Sequence, residues 1–194
     1  MKLVLCEGKD EIAVITELCK AREIGGLTVE HYGGIPNVWN VIEQLPKRPA
    51  YAQKEIESLA ILMDGDDDPD AAWQRLCDVV RKHLKVSLPG RGRFAGDKPQ
   101  VAGYVIAGVE GKGMLEDLCL RAVSGTPGFN CLDEFFRCMA EKTDKKEYHA
   151  KARFRAWMST QSDYDLGVGL AATRGHLPWE SPAFDPLVEF LRTL

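Results

Sequence analysis

The chain has 194 residues, of which 45% are hydrophobic and 28% charged, a globular composition long enough to build one ordinary domain with its own core. A formal net charge of −4 excludes a broadly basic nucleic-acid-binding surface and leaves only local patches for such contacts. No apolar stretch reaches the roughly 20 residues of a membrane helix, and the opening apolar run 3–6 is cut off by Glu7 too early for a signal peptide. Together with six scattered cysteines that show no CxxC and no zinc-like His spacing, this predicts a soluble, cytoplasmic protein without membrane association in a reducing compartment.

Residues 2–6 (KLVLC) form a short apolar run that stops at Glu7-Gly8, and the next segment, 10–22, places Ile12, Ala13, Ile15, Leu18 and Cys19 at helical spacing. Strand, turn and helix follow one another. Residues 27–32 alternate as a second strand, Gly33-Gly34 break it, and Pro36 suits the first turn of a helix carrying Val38, Val41, Ile42 and Leu45. After the proline-flanked stretch 46–49, residues 59–63 (LAILM) read as a strand buried on both faces, as in a helix-covered parallel sheet. That strand ends in Asp64-Gly-Asp-Asp-Asp-Pro, with Asp68 available to cap a helix running to about His83. The Gly-, Pro- and base-rich stretch 85–100 predicts an irregular loop or hairpin before a fourth strand over 101–107.

From Gly113 onward only helical patterns remain, over 114–123, 131–141, 145–159 and 186–194, punctuated by glycines at 125–128 and 167–169. Strand-helix alternation with right-handed crossovers predicts an α/β, Rossmann-like fold. A mostly parallel four-stranded sheet flanked by helices would occupy residues 1–112. An all-helical C-terminal portion, 113–194, would pack on that core as part of one compact domain.

Open parallel sheets place functional residues beyond the carboxyl ends of their strands, and Glu7 and Asp64 each follow a strand directly. If those strands are neighbours, three or more carboxylates share one crevice. Like charges at about 4 Å repel by about 1 kcal/mol even in bulk water, and more when buried, so the cluster calls for a cation or raised pKa values. Oxygen-only ligands without His or Cys favour Mg2+ or Mn2+. In an extended turn Asp64 and Asp66 point the same way and reach one ion; Glu7 and Glu11, four residues apart, share a helix face and would serve a second. The plainer alternative is that Glu7, Glu11 and Asp68 are helix-terminal acids that satisfy free N–H groups and the helix dipole.

The Glu7-Gly8 pair after the first strand and the Asp64-Gly65-Asp66 motif after a later apolar strand, in that order, resemble the Toprim domain of topoisomerases, primases and OLD-family nucleases. More narrowly, the whole chain looks like small stand-alone Toprim-related proteins. The resemblance implies a catalytic or metal-binding role for Glu7 and metal-ligand roles for Asp64 and Asp66. OLD-type nucleases add a further acidic position and a late lysine, for which Glu116 and Lys151 are the candidates by order and context. There is no tyrosine in a topoisomerase setting and no primase zinc module, which favours a nuclease.

The segment 108–113 lacks the spacing and the Ser or Thr of a phosphate-binding P-loop. Lys142, Lys145, Lys146, Lys151, Arg153 and Arg155 form one basic group, and Arg81, Lys82, Lys85, Arg91 and Arg93 another; either suits a nucleic-acid backbone or an ordinary solvated helix face. The leading expectation is Mg2+- or Mn2+-dependent phosphodiester hydrolysis on nucleic acid. The alternatives are a non-catalytic metal- or nucleotide-binding module working with a separate ATPase, and a receiver-like phosphoacceptor. Against the last stand the absent acidic pair after strand one and the absent fifth strand.

Overall fold

A computed structural model describes residues 1–106, 113–144, 149–162 and 167–194. The predicted end of the fourth strand at Ala107, the segment 108–112 and the basic residues Lys145 and Lys146 lie outside these described residues.

The α/β expectation holds. Strands β1 (Lys2–Cys6), β2 (Leu27–His31), β3 (Ser58–Asp64) and β4 (Gln100–Ile106) form one sheet in the order β2-β1-β3-β4, and all three pairings are parallel. The central pair aligns Lys2 with Ser58 and Leu5 with Ile61, so β1 and β3 finish at the same edge. Both strands are apolar almost throughout because both of their faces are covered. Side chains alternate between two cores. Leu3, Leu5, Leu59, Ile61, Met63 and Val101 face helices α2 (Ile35–Gln44) and α4 (Pro69–Leu84), through Val38, Ile42, Leu76 and Val80. Val4, Cys6, Ala60, Leu62 and Ile106 face α1 (Lys9–Ala21) and the C-terminal helix, through Ile15, Leu18, Leu187 and Leu191.

The local signals account for most boundaries. Asp68 caps α4 by accepting the Ala71 N–H at 2.9 Å, with Pro69 in the first turn. Pro36 opens α2 as expected, and the proline-flanked stretch 46–49 holds the end of a 3-10 turn (Leu45–Lys47) and the first residue of a short helix α3 (Pro49–Ala52). The irregular 85–100 segment runs back along the outer edge of β4, where Gly92 donates to the Gly103 carbonyl at 2.7 Å and Ala95 bridges Val101, so that edge is not left open. Gly103 is required where α4 presses on β4: a Cβ there would lie 2.7 Å from Leu76 and 2.8 Å from Trp73.

Beyond Gly113 the structure is helical: α5 (Leu115–Val123), α6 (Phe129–Lys142), α7 (Ala150–Met158), α8 (Val168–Thr173) and α9 (Asp185–Arg192). Leu118 and Ala122 of α5 and the apolar face of α9 join the second core. The remaining helices build a third cluster around Phe154, Trp157 and Met158 that includes Val14 of α1 and Leu115 and Cys119 of α5. Two expectations are corrected. Residues 167–169 are not only punctuation: Gly167 caps a helix the sequence reading lacked, α8, and Gly169 lies inside it. The helix placed over 145–159 has its described turns at Ala150–Met158. Among the described residues no helix is long and apolar enough to cross a membrane.

Candidate metal centre

The carboxyl ends of β1 and β3 and the starts of α1 and α5 enclose a pocket of about 430 Å3 lined by Glu7, Gly8, Lys9, Asp10, Glu11, Gly33, Gly34, Asp64, Leu115, Glu116 and Lys151. Adjacent strands therefore bring Glu7 and Asp64 together, as their positions in the sequence anticipate. The two side chains share an unusual state: Glu7 Oε2 and Asp64 Oδ1 are sealed from solvent and receive no hydrogen bond from any described group. A buried acceptor left without a donor costs about 1–3 kcal/mol, and more when it carries charge.

Burial, followed by the charges of Glu11, Glu7, Glu116 and Asp66, pushes the Asp64 carboxyl up to about 8. Burial also raises Glu7, reinforced by Glu11 and Asp66, while the Ile35 backbone N–H and the Lys151 ammonium pull the other way. The same carboxylates add to burial in raising the Cys6 thiol and the Tyr32 phenol. Tyr32, just after β2, donates to the Leu62 carbonyl of β3 at 2.9 Å.

Glu11 is differently placed. Its Oε2 accepts the Gly8 N–H at 2.9 Å, the return bond of a helix cap, and its side chain is buried. The capping alternative thus describes part of its role, while it still lines the pocket beside Glu7. Glu116, in the first turn of α5, is raised by burial and opposed by its own N–H and by Lys151, whose Nζ lies 3.9 Å from Glu116 Oε1. Lys151 itself, in the first turn of α7, is mostly exposed. Two residues named only by order and context therefore share one wall of the pocket.

Asp66 does not follow the geometry expected of it. In place of an extended turn, it adopts φ 46° and is exposed, and its backbone bridges Gly113 through a Gly113 N–H bond to the Asp66 carbonyl at 2.7 Å. Gly65 forces this path: its N–H donates to the Ile106 carbonyl at 2.8 Å, and a Cβ would lie 3.1 Å from that oxygen and 3.2 Å from the Gly113 carbonyl. Asp66 still acts on Glu7 and Asp64 through its charge, from the rim rather than the wall.

The pocket also contains Lys9, Asp10, Gly33 and Gly34, which the sequence reading left unassigned. Their signal was adjacency to the Glu7-Gly8 turn and the Gly-Gly break after β2. Among the described residues no three His, Cys, Asp or Glu side chains converge closely enough to hold an ion by themselves. The two unpartnered carboxylate oxygens nonetheless fit Mg2+, which is commonly held by one or two carboxylates, the remaining positions falling to water and phosphate. Of the basic groups, Arg81 is paired with Asp78 at 2.6 Å, Arg91 with Asp70 and Arg153 with Asp133. Lys142, Lys151 and Arg155 remain exposed on α6 and α7.

A solved structure of a hypothetical protein from Pyrococcus horikoshii OT3 shares the fold, with a TM-score of 0.62 at 14% identity, covering 99% of this chain and 94% of that one. The C-terminal region of the Burkholderia pseudomallei OLD protein matches with a TM-score of 0.51 at 16% identity, covering 99% and 97%. No curated protein matches. Residues 1–194 match the model for "Protein of unknown function (DUF3226)", and the chain belongs to that family.

Proposed function

We propose that this protein is a Toprim-type phosphodiesterase that uses Mg2+ or Mn2+ to hydrolyse nucleic acid, with Glu7, Asp64 and Asp66 at its metal edge. The observation that carries the reading is the pair of buried, unpartnered carboxylate oxygens on Glu7 and Asp64 at the ends of neighbouring parallel strands. Hard oxygen donors without His or Cys suit a hard cation, and the fold shared with an OLD C-terminal region agrees with the resemblance of the motifs. When bound, such an ion supplies a polarised phosphoryl group and a water acidic enough to attack it.

The side chains divide the remaining work. Asp64, the more deeply buried acid, would hold the ion, and its raised proton affinity means that it would have to be deprotonated to do so. Glu7, with a raised affinity for protons, is suited to take one from the attacking water. Glu11 fixes the turn that presents Glu7. Lys151, loosely paired and exposed, is free to neutralise charge developing on a phosphoryl oxygen. To test this, supercoiled plasmid is incubated with the protein and Mn2+, then with Glu7→Gln and Asp64→Asn. Nicking by the parent and a loss of 100-fold or more in both variants is expected; undiminished nicking by either variant removes that residue from the chemistry.

The alternative reading is a non-catalytic metal- or nucleotide-binding module acting with a separate ATPase. Mn2+ binding in calorimetry without turnover on DNA or RNA, together with retention of an ATPase on the immobilised protein, would select it.

A further inference from the structure

Helix α8 approaches the first turn of α1 so closely that only glycine fits at the crossing. A Cβ on Gly169 would strike the Asp10 carboxylate and lie 3.0 Å from the Asp10 Cα, a backbone atom that cannot move aside. At the same point the Gly169 N–H donates to Asp10 Oδ1 at 3.2 Å. Asp10 thus serves as an N-terminal cap for a helix almost 160 residues away along the chain. Around that bond, Val168, Ala171 and Ala172 of α8 pack in one cluster with Val14, one turn further along α1.

Asp10 is flanked by the carboxylates that line the pocket, with Glu7 before it in the turn and Glu11 directly after it, and it lines the pocket itself. Its partner on the protein side is backbone. We infer that Asp10 and Gly169 are positioning residues of the metal pocket: α8 clamps the first turn of α1 and so sets where Glu7 and Glu11 stand relative to Asp64. The inference rests on the proposed metal site for its consequence, and on the clamp geometry for its cause.

The test uses the full-length protein with Asp10→Asn, Asp10→Ala and Gly169→Ala. Asparagine keeps a side-chain oxygen for the Gly169 N–H and loses only the charge; alanine loses both. Amide hydrogen exchange is followed at residues 8–12, and the Mn2+ dissociation constant is measured by calorimetry. Asp10→Ala and Gly169→Ala should exchange at least tenfold faster at residues 8–12, with the sheet amides unchanged, and bind Mn2+ about tenfold more weakly. Asp10→Asn should stay within about threefold of the parent in both. Unchanged exchange in Asp10→Ala would overturn the clamp. Equal weakening of Mn2+ binding by Asp10→Asn and Asp10→Ala would overturn positioning in favour of a direct charge effect. If the parent binds no Mn2+, the metal reading fails, and the exchange data still decide whether the clamp exists.

Discussion

Asp64→Asn should make the metal-free protein more stable, and should do so only above the ordinary pKa range of aspartate. Burial, followed by the charges of Glu11, Glu7, Glu116 and Asp66, pushes the Asp64 carboxyl in the folded chain from its ordinary value of 3.8 up to about 8. A raised folded-state value means that the native state keeps a proton which the unfolded chain has already released. The associated stability is therefore complete below pH 4 and is lost as the pH rises towards 8. Each unit is worth about 1.4 kcal/mol, so the loss at pH 7 reaches about 4 kcal/mol as an upper value, and about 2 kcal/mol once water entry and relaxation are allowed for. Asparagine fills the same volume and has no proton to hold. In EDTA the variant should match the parent near pH 4.5 and exceed it by about 2 kcal/mol at pH 7. For a chain of this size that corresponds to a Tm higher by about 4–8 °C. Excess Mg2+ should then raise the parent and leave the variant unmoved, because binding stabilises only the state that holds the ion. Thermal and urea unfolding at pH 4.5, 7 and 8.5 provide the measurement. Parallel stability profiles for parent and variant across that range would refute the premise that Asp64 is buried without a partner.

Two further outcomes follow from particular contacts. Mn2+ affinity should strengthen as the pH rises through about 8, with proton release, since the ion must displace the proton on Asp64; calorimetry in buffers of different ionisation enthalpy reads both, and pH-independent affinity would contradict the assignment of Asp64 as a ligand. Gly103→Ala should lower unfolding stability by about 1–3 kcal/mol through overpacking against Leu76 and Trp73; an unaffected urea midpoint would show that α4 is not seated on β4 as described.

The sheet was legible because β1 and β3 are short apolar runs with abrupt polar ends, a pattern that a strand buried on both faces cannot avoid. The starts of α2 and α4 were legible for equally local reasons, Pro36, Asp68 and Pro69. Where the sequence misled, the cause lay in tertiary contacts. Gly167 and Gly169 look like loop punctuation, yet α8 forms there because glycine alone allows α8 to cross Asp10. Asp66 looks like the second tooth of an extended turn, but the Gly65 N–H is tied to the Ile106 carbonyl at the end of β4 and the Asp66 carbonyl to the Gly113 N–H, which leaves Asp66 at φ 46° and exposed. Lys9 and Asp10 adjoin the motif, but which side of the first helical turn faces the pocket depends on how α1 sits on the sheet.

Two kinds of acid gather around this end of the sheet, those at helix starts and those at strand ends, and what separates them is whether each oxygen has a donor. Glu11 and Asp117 occupy equivalent third positions in α1 and α5 and accept the N–H groups of Gly8 and Met114, each at 2.9 Å. They complete local structure and would be present in a protein with no active site. Glu7 and Asp64 sit at strand ends, and each leaves a sealed oxygen without any described donor. The N-termini of α1, α2 and α5 converge on them and supply partial positive charge, each helix end contributing at most about half an elementary charge. That field is too small to offset burial and four neighbouring carboxylates, as the rise of Asp64 to about 8 records. A pocket built this way favours the protonated form of its deepest acid near neutral pH. On the proposed metal-binding reading, an ion entering here would have to take the place of that proton, so binding and proton release would be one event at Asp64.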